Sequence, residues 1–326
     1  LFNQWVVHFS FHFASISSMK PSRLVILLLL PLAAAAAPQA AAEKRPVTDT
    51  YHGVAVTEDY RWLEAGDAPE VRAWVAEQNR RTRAHLDTVP ERKALRDKID
   101  AYYKEVSPSY YRLTYRRGAY FSMKFQPPKD QDLLVTFKSP DDPAAERVLV
   151  DPNVKNEKGQ LAIDWYVPSL DGRKGAVAMS EKGSEDAALY FLDVETGKEL
   201  ADRVPRVNYP TAGGSAAWNS DGTGVYYTRY PQGDERPKAD LNFYQQIWFH
   251  RLGAPAGADT YVLGKDFPRI AEIELETRGD GNWLLASVAN GDGGEYAHHL
   301  MGPEGTWTQL TRFEDKVISA ALGLDG

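Results

Sequence analysis

Trp218-Asn219-Ser220-Asp221-Gly222-Thr223-Gly224-Val225-Tyr226-Tyr227 contains an Asp-Gly pair between two runs of apolar and aromatic residues. Asp-Gly is a favoured pair for a two-residue β-hairpin, because both central residues of that turn take positive φ. The pair recurs at Asp171-Gly172, Asp280-Gly281 and Asp325-Gly326, at spacings of 50, 59 and 45 residues. A hairpin turn therefore repeats along the second half of the chain.

Each repeat also contains further short strands and a second glycine-containing turn, at 195–198, 252–253 and 303–305. Four short antiparallel strands in every ~40–50 residues are typical of the blades of a β-propeller. We predict blades at 110–152, 163–204, 214–264 and 271–314, with a fifth beginning at Val317. A pair of β-sandwiches is the alternative, but sandwiches do not repeat a turn at matching points.

Two helices are predicted before the blades. The first runs from Pro69 to about Leu86, with Asp67 as its N-cap and Glu70 as capping-box partner, and the second starts near Pro90. Their narrow apolar stripes cannot close a core alone and need a partner surface. The stripes are Val71, Trp74 and Val75 in the first helix and Leu95, Ile99 and Tyr102 in the second.

The motif Tyr51-His52-Gly53, followed by Asp59-Tyr60-Arg61-Trp62-Leu63-Glu64, resembles the start of mature prolyl oligopeptidases, a family of serine peptidases. Asp59 stands where that family usually has proline. Later strings are also similar to the family's blades, and the resemblance covers Pro46 to Gly326. These strings are Leu149-Val150-Asp151-Pro152-Asn153, Trp218-Asn219-Ser220-Asp221-Gly222 and Tyr244-Gln245-Gln246-Ile247-Trp248-Phe249-His250.

The resemblance implies an all-β fold, a partial seven-bladed β-propeller with about four blades and the start of a fifth, preceded by a short α-helical segment. Residues 43–108 would be the helical segment that packs on a hydrolase domain, and residues 109–326 the incomplete propeller. By resemblance, the complete protein cleaves short peptides after proline. The family's Ser, Asp and His lie in an α/β-hydrolase domain after the propeller, so no catalytic residue is expected in this chain.

Two alternatives remain open at this stage. Within the wider family, an enzyme like oligopeptidase B would cut after Lys or Arg. The sequence Tyr60-Arg61-Trp62-Leu63-Glu64 is more similar to the prolyl type. From a different class, the chain could be a non-catalytic periplasmic propeller that binds a peptide or protein partner. An open reading frame continuing into a nucleophile elbow favours the enzyme.

Gly213-Gly214-Ser215-Ala216-Ala217 superficially resembles a nucleophile elbow. That elbow needs glycine two places after the serine and a helix beyond it, whereas Ala217 and a strand follow here. Adjacent strand residues point to opposite faces, so His298 and His299 cannot ligate one metal ion together. No metal or other cofactor is expected.

An export signal is predicted at residues 19–42, because basic Lys20 and Arg23 precede an apolar run and small residues suited to cleavage. Residues 1–18 are predicted to be a non-native leader. The protein is therefore expected to be periplasmic or secreted, without a membrane contact after cleavage. The sequence has no Cys and a net charge of −7, which argues against nucleic acid as a partner.

Two further groups could serve either the structure or substrate binding. Segment 232–242, rich in charge, is predicted to be a mobile, solvated surface loop, although such loops in the resembled family can face the central cavity. The second group is predicted as core between blades rather than a substrate platform. It consists of Tyr102, Tyr103, Tyr110, Tyr111, Tyr115 and Tyr120.

Overall fold

The computed structural model describes residues 42–142, 145–155, 160–207 and 214–323. The predicted leader, the signal segment up to residue 41 and the Asp325-Gly326 turn lie outside the described residues. The chain divides into two compact units, one ending at Val89 and the other beginning at Pro90. The second helix falls in the unit that holds the blades, whereas the sequence pattern grouped it with segment 43–108.

The unit that ends at Val89 begins with a β-hairpin, which the sequence pattern did not predict. Its strands are β1 (Val47–Tyr51) and β2 (Val54–Glu58), followed by a 3₁₀ helix (Arg61–Glu64) and α1 (Pro69–Leu86). His52 and Gly53 join the strands with φ of 50° and 84°. Two successive positive φ angles are the signature of a type I′ turn, whose twist matches that of the flanking strands.

The capping box predicted for α1 is wrong. Ala68 is the N-cap, without a side-chain hydrogen bond, and Pro69 occupies the first helical turn. Proline suits this place because its fixed φ is already helical and its missing N–H needs no partner. Asp67 instead pairs with Arg72 over 2.6 Å, and Glu70 pairs with Arg45 over 2.9 Å.

The unit that begins at Pro90 contains the blades. Helix α2 (Glu91–Glu105) is followed by four antiparallel sheets of four strands, each paired in chain order. Their positions confirm the four predicted blades. Blade 1 contains β3 (Ser109–Arg116), β4 (Ala119–Phe125), β5 (Leu133–Phe137) and β6 (Arg147–Val150); blade 2, after the short α3 (Pro152–Lys155), contains β7 (Leu161–Pro168), β8 (Lys174–Glu181), β9 (Ala188–Asp193) and β10 (Glu199–Val204).

The other two blades have the same order. Blade 3 consists of β11 (Ala216–Trp218), β12 (Gly224–Arg229), β13 (Gln246–Arg251) and β14 (Thr260–Leu263), and blade 4 of β15 (Ala271–Thr277), β16 (Leu284–Asn290), β17 (Tyr296–Met301) and β18 (Trp307–Thr311). Short 3₁₀ helices lie at Lys238–Asp240, Ala256–Ala258, Gly291–Gly293 and Phe313–Asp315.

The predicted start of a fifth blade at Val317 is not seen. Within the described chain, residues 317–323 form no strand. A β-strand requires a ladder of backbone hydrogen bonds to a neighbouring strand, and within the described chain residues 317–323 form no such ladder.

The Asp-Gly turns lie between the first two strands of blades 2, 3 and 4, as predicted, but their type differs. Only the glycines take positive φ: 71° at Gly172, 64° at Gly222 and 75° at Gly281. In blade 3, the Gly222 N–H donates to the Asn219 carbonyl over 3.2 Å, closing a type I turn before the left-handed glycine. The loop is longer than two residues, so the aspartate needs no positive φ.

The core lies between adjacent blades. Phe121 of blade 1 packs with Val177 of blade 2, and Phe191 of blade 2 meets Trp218 of blade 3 edge to face at 6.0 Å. Side chains also bond across the same boundaries, since Trp218 Nε1 donates to the Val167 carbonyl over 2.9 Å. Each large buried side chain contributes roughly 1.5–3 kcal/mol relative to leaving it exposed. Ile273 belongs to the corresponding cluster between blades 3 and 4.

The prediction that the tyrosines form core is wrong for most of them. On blade 1, Tyr115 and Tyr120 lie on the face opposite Phe121, because neighbours on a strand alternate. They form an aromatic row with Phe137, whose ring stacks on Tyr120 at 5.5 Å. The exposed members of the predicted group are Tyr102, Tyr103, Tyr110, Tyr111 and Tyr115.

Candidate functional site

A cavity of about 420 Å³ lies where the first strands of the blades come together. Strand β11 contacts both β7 and β15, so these innermost strands lie side by side. The wall is mixed in character: β7 and β11 supply mainly apolar and aromatic groups, and β15 supplies acids. Its members include Arg116, Trp165, Tyr166, Ser215, Trp218, Glu272, Glu274, Glu276 and Tyr296.

Three carboxylates follow one another along one side of β15. Glu272, Glu274 and Glu276 alternate with the buried Ile273 and Leu275, as the two-residue period of a strand requires. Burial raises the pKa of Glu272, and the charge of Asp292 raises it further. This row was not predicted from the sequence, although Glu alternates with apolar residues there from 271 to 277.

One cationic group also lines the cavity. The guanidinium of Arg116, at the end of β3, donates from Nη1 to the Tyr115 carbonyl over 2.9 Å. Its Nε is buried, with no hydrogen-bond partner in the described part of the chain. Burial lowers the pKa of Arg116, and the nearby charge of Arg278 lowers it as well. The cavity wall therefore carries charges of both signs.

Ser215 has a structural contact in this place. Its Oγ accepts a hydrogen bond from the Leu275 N–H over 2.9 Å, and its own N–H donates to Thr228 Oγ1 over 2.9 Å. The residue directly precedes strand β11, so no strand-to-helix turn is formed at it. Ser215 thus connects blades 3 and 4 by bonding to a backbone group.

The histidines in the described residues are dispersed. His52 is in the hairpin turn, His85 is exposed on α1, and His299 contacts Phe267 with ring centroids 5.2 Å apart. His298 is fully buried beside Thr311, and burial lowers its pKa. His250 is the exception, because it is enclosed by carboxylates. Among the residues that the structure describes, no group of three or more His, Asp or Glu is placed to hold a metal ion.

Segment 232–242 is held in place by ion pairs with two arginines, in contrast to the predicted mobile loop. Arg229, 7% exposed, makes a two-pronged pair with Glu235 at 2.8 and 3.0 Å and lies 3.9 Å from the ring centre of Trp248. Arg269 pairs with Asp240 over 2.9 Å. Arginine suits such contacts because its planar group binds a carboxylate with two parallel N–H groups and stacks on aromatic rings.

The family-motif residues organise the unit that ends at Val89. Tyr51, His52 and Gly53 form the end of β1 and the hairpin turn, and Arg61 pairs with Asp49 on β1. The last residues of the motif, Tyr60, Leu63 and Glu64, lie at the 3₁₀ helix Arg61–Glu64, where the Leu63 N–H donates to the Tyr60 carbonyl over 2.9 Å.

Trp62 completes this local network. Its Nε1 donates to the Glu43 carbonyl over 2.8 Å, and the Arg45 guanidinium lies 4.5 Å from its ring centre. The residues of this motif therefore form a hairpin turn and local hydrogen bonds and ion pairs.

Four-stranded blades joined by apolar clusters define this chain as a β-propeller protein. The family model described as prolyl oligopeptidase, N-terminal beta-propeller domain, matches residues 39–320. The chain therefore belongs to the prolyl oligopeptidase family, of which it contains the N-terminal propeller region.

Relatives with known names agree with this assignment. A prolyl endopeptidase of Elizabethkingia meningoseptica is 29% identical over 255 residues, or 76% of this chain and 34% of the relative. A prolyl endopeptidase of Elizabethkingia miricola is 27% identical over 83% of this chain and 37% of its own length. A solved structure from a study of two prolyl endopeptidases is 27% identical, with a TM-score of 0.71 over 83% of this chain and 39% of that one.

The chain thus spans little more than a third of the length of these relatives. In the described part of the chain, no helix is long and apolar enough to cross a membrane.

Proposed function

We propose that this chain is the propeller part of a secreted serine endopeptidase that cleaves short peptides after proline. The observation that carries the proposal is the family match over residues 39–320, together with relatives that are prolyl endopeptidases. In this proposal, the Ser, Asp and His that perform the chemistry belong to a hydrolase domain beyond residue 326. The chain contributes the cavity wall past which peptides reach that domain.

The complete propeller is proposed to have seven blades, of which the structure describes four. The exposed Tyr115, which forms an aromatic row with the half-buried Tyr120 and Phe137 on blade 1, supports this, because a further blade would bury such a surface. The exposed apolar residues of the hairpin and α1, such as Val54 and Val75, support the proposal that the N-terminal unit packs on the hydrolase domain.

The activity is tested on the protein encoded by the complete gene. We expect it to hydrolyse a chromogenic peptide after proline, to leave the matched peptide with Lys in that position uncut, and to be labelled by a fluorophosphonate. A stop codon after two or three further blades would instead support a non-catalytic binding propeller. Preferred cleavage after Lys or Arg would support the oligopeptidase B type.

Secretion is tested separately. Protein expressed from Met19 is expected in the periplasm with a new N-terminus between about Ala35 and Lys44, because small residues there suit signal peptidase. The N-terminus is measured by mass spectrometry of the periplasmic fraction. Periplasmic protein that still begins at Met19 would refute cleavage, and protein confined to the cytoplasm would refute export.

A further inference from the structure

A buried histidine joins blades 2 and 3. His250, on β13 of blade 3, is fully buried, and its two ring nitrogens face carboxylates of different blades. Nδ1 lies 2.7 Å from Oδ1 of Asp259, which precedes β14 in the same blade. Nε2 lies 3.2 Å from Oδ1 of Asp202, on β10 of blade 2. The Phe191 ring of β9 stacks on the imidazole with centroids 5.4 Å apart.

The carboxylates have further partners. The Tyr227 hydroxyl on β12 donates to Asp259 Oδ2 over 2.7 Å, and the Gly253 N–H donates to Asp202 Oδ1 over 2.5 Å. Arg229, also on β12, interacts electrostatically with Tyr227. The charged groups that face the imidazole are therefore Asp202 from β10 and Asp259 from the segment before β14. Tyr227 of β12 bonds to Asp259, and Arg229 of β12 acts on Tyr227.

This geometry favours the doubly protonated ring, since each nitrogen can satisfy its carboxylate only by donating a proton. Burial by itself lowers the pKa of His250, but the hydrogen bonds and charges of Asp259 and Asp202 outweigh burial and leave the pKa above its usual value. The imidazolium is thus the form that matches its surroundings.

The two nitrogens do not hold their protons equally. The contact to Asp259 is shorter, and the Asp259 side chain is 3% exposed against 8% for Asp202. A neutral ring therefore keeps the proton on Nδ1, and Nε2 then turns a lone pair toward Asp202 Oδ1. The contact to Asp259 lies within blade 3, whereas the contact to Asp202 spans two blades. Loss of one proton consequently weakens the connection between the blades and leaves the one within the blade intact.

We propose that Asp202, His250 and Asp259 form a proton-dependent latch between blades 2 and 3. The latch is closed while His250 is protonated. When His250 loses its proton at higher pH, β10, the last strand of blade 2, opens more often.

The absence of cysteine from the sequence provides a direct test. Val204, at the end of β10, is fully buried in the cluster between the two blades, so Val204→Cys in the full chain reports opening of this strand. The labelling rate of the thiol is divided by that of the same chain unfolded at the same pH, which removes the pH dependence of thiol chemistry. A hydrogen bond to a charged group contributes enough for an approximately tenfold loss of protection as pH rises through the His250 titration.

Variants identify the group responsible. In the Val204→Cys background, His250→Gln should abolish the pH step, and Asp202→Ala should abolish it too, with fast labelling at every pH, because no carboxylate on β10 remains to bind the imidazolium. His85→Gln, which alters an exposed histidine on α1, should leave the step unchanged. Protection that is independent of pH in the parent would overturn the proposal. So would a step that persists in Asp202→Ala, a result that stands even if His250→Gln does not fold.

Discussion

The Ser180 hydroxyl donates a hydrogen bond over 3.0 Å to Oδ1 of Asp164, a carboxyl group that blade 2 buries to 8% exposure. Oδ2 of Asp164 has no hydrogen-bond partner in the described residues. Burial raises the pKa of Asp164 to about 6, the Ser180 bond opposes the rise, and the charge of Glu185 adds to it. A carboxyl whose folded pKa lies above its unfolded value binds its proton more tightly when folded, so it costs stability once pH exceeds the unfolded pKa.

Asp164→Asn should therefore raise the melting temperature at pH 8 and change it little at pH 4. The gain is at most about 3 kcal/mol, because each pKa unit corresponds to about 1.4 kcal/mol. Thermal unfolding of the full chain at both pH values measures it. Asp171→Asn is the matched control, since Asp171 accepts bonds from Ser169 and Arg173 and its replacement should not stabilise. Equal gains at pH 4 and pH 8 would contradict the titration argument.

Blade 3 contains a glycine, Gly224, at which any side chain would clash with its neighbours. A Cβ at Gly224 would lie 2.4 Å from the His250 carbonyl oxygen and 2.5 Å from Phe249 Cζ. Because backbone cannot move aside as a flexible side chain can, we expect Gly224→Ala to destabilise the chain by about 1–3 kcal/mol or more in chemical denaturation. Gly257→Ala, in the same blade but with open space around its Cα, should be nearly neutral. Equal effects of the two substitutions would refute the steric explanation.

The contacts of Arg229 predict how segment 232–242 responds to mutation. Arg229→Gln removes the paired bonds to Glu235, so the segment should open more often and a Lys-specific protease should cut after Lys238 several-fold faster. Arg203→Gln is the control, because Arg203 stacks on Tyr190 and not on this segment. Cleavage at Lys238 that is equally fast in both variants and in the parent would show that Arg229 does not hold the segment.

The blades could be predicted from sequence because two local signals agree. Alternating apolar residues indicate strands, and glycine turns at matching points indicate their repeat, so neither signal depends on distant contacts. The face of blade 1 that packs against blade 2 could not be predicted in the same way. Alternation shows that Tyr120 and Phe121 point to opposite faces, but only packing shows that Phe121 is the one against blade 2.

The surroundings of His250 lay beyond sequence reasoning for a related reason. Asp202 is 48 residues away along the chain and reaches His250 only because two blades pack together. Asp259 is 9 residues away, a spacing without meaning until β13 and the following 3₁₀ helix are placed. The acidic row on β15, by contrast, could be predicted from sequence, because its alternation of acidic and apolar residues lies within seven consecutive residues.

Substitution of Ser215 tests most directly whether this serine has a structural or a catalytic role. Its Oγ accepts the Leu275 N–H, and it precedes a strand, so Ser215→Ala should cost about 1 kcal/mol of stability by leaving that donor unpaired. In the complete protein, which we propose to be a peptidase, the same substitution should leave kcat and KM for a proline-containing peptide unchanged and fluorophosphonate labelling intact. Residues 43–326 alone should not hydrolyse the peptide above buffer, because they supply neither a nucleophile nor an oxyanion hole in this proposal. Peptide turnover by residues 43–326 that disappears in Ser215→Ala would establish Ser215 as a nucleophile and refute the proposed division of labour between propeller and hydrolase domain.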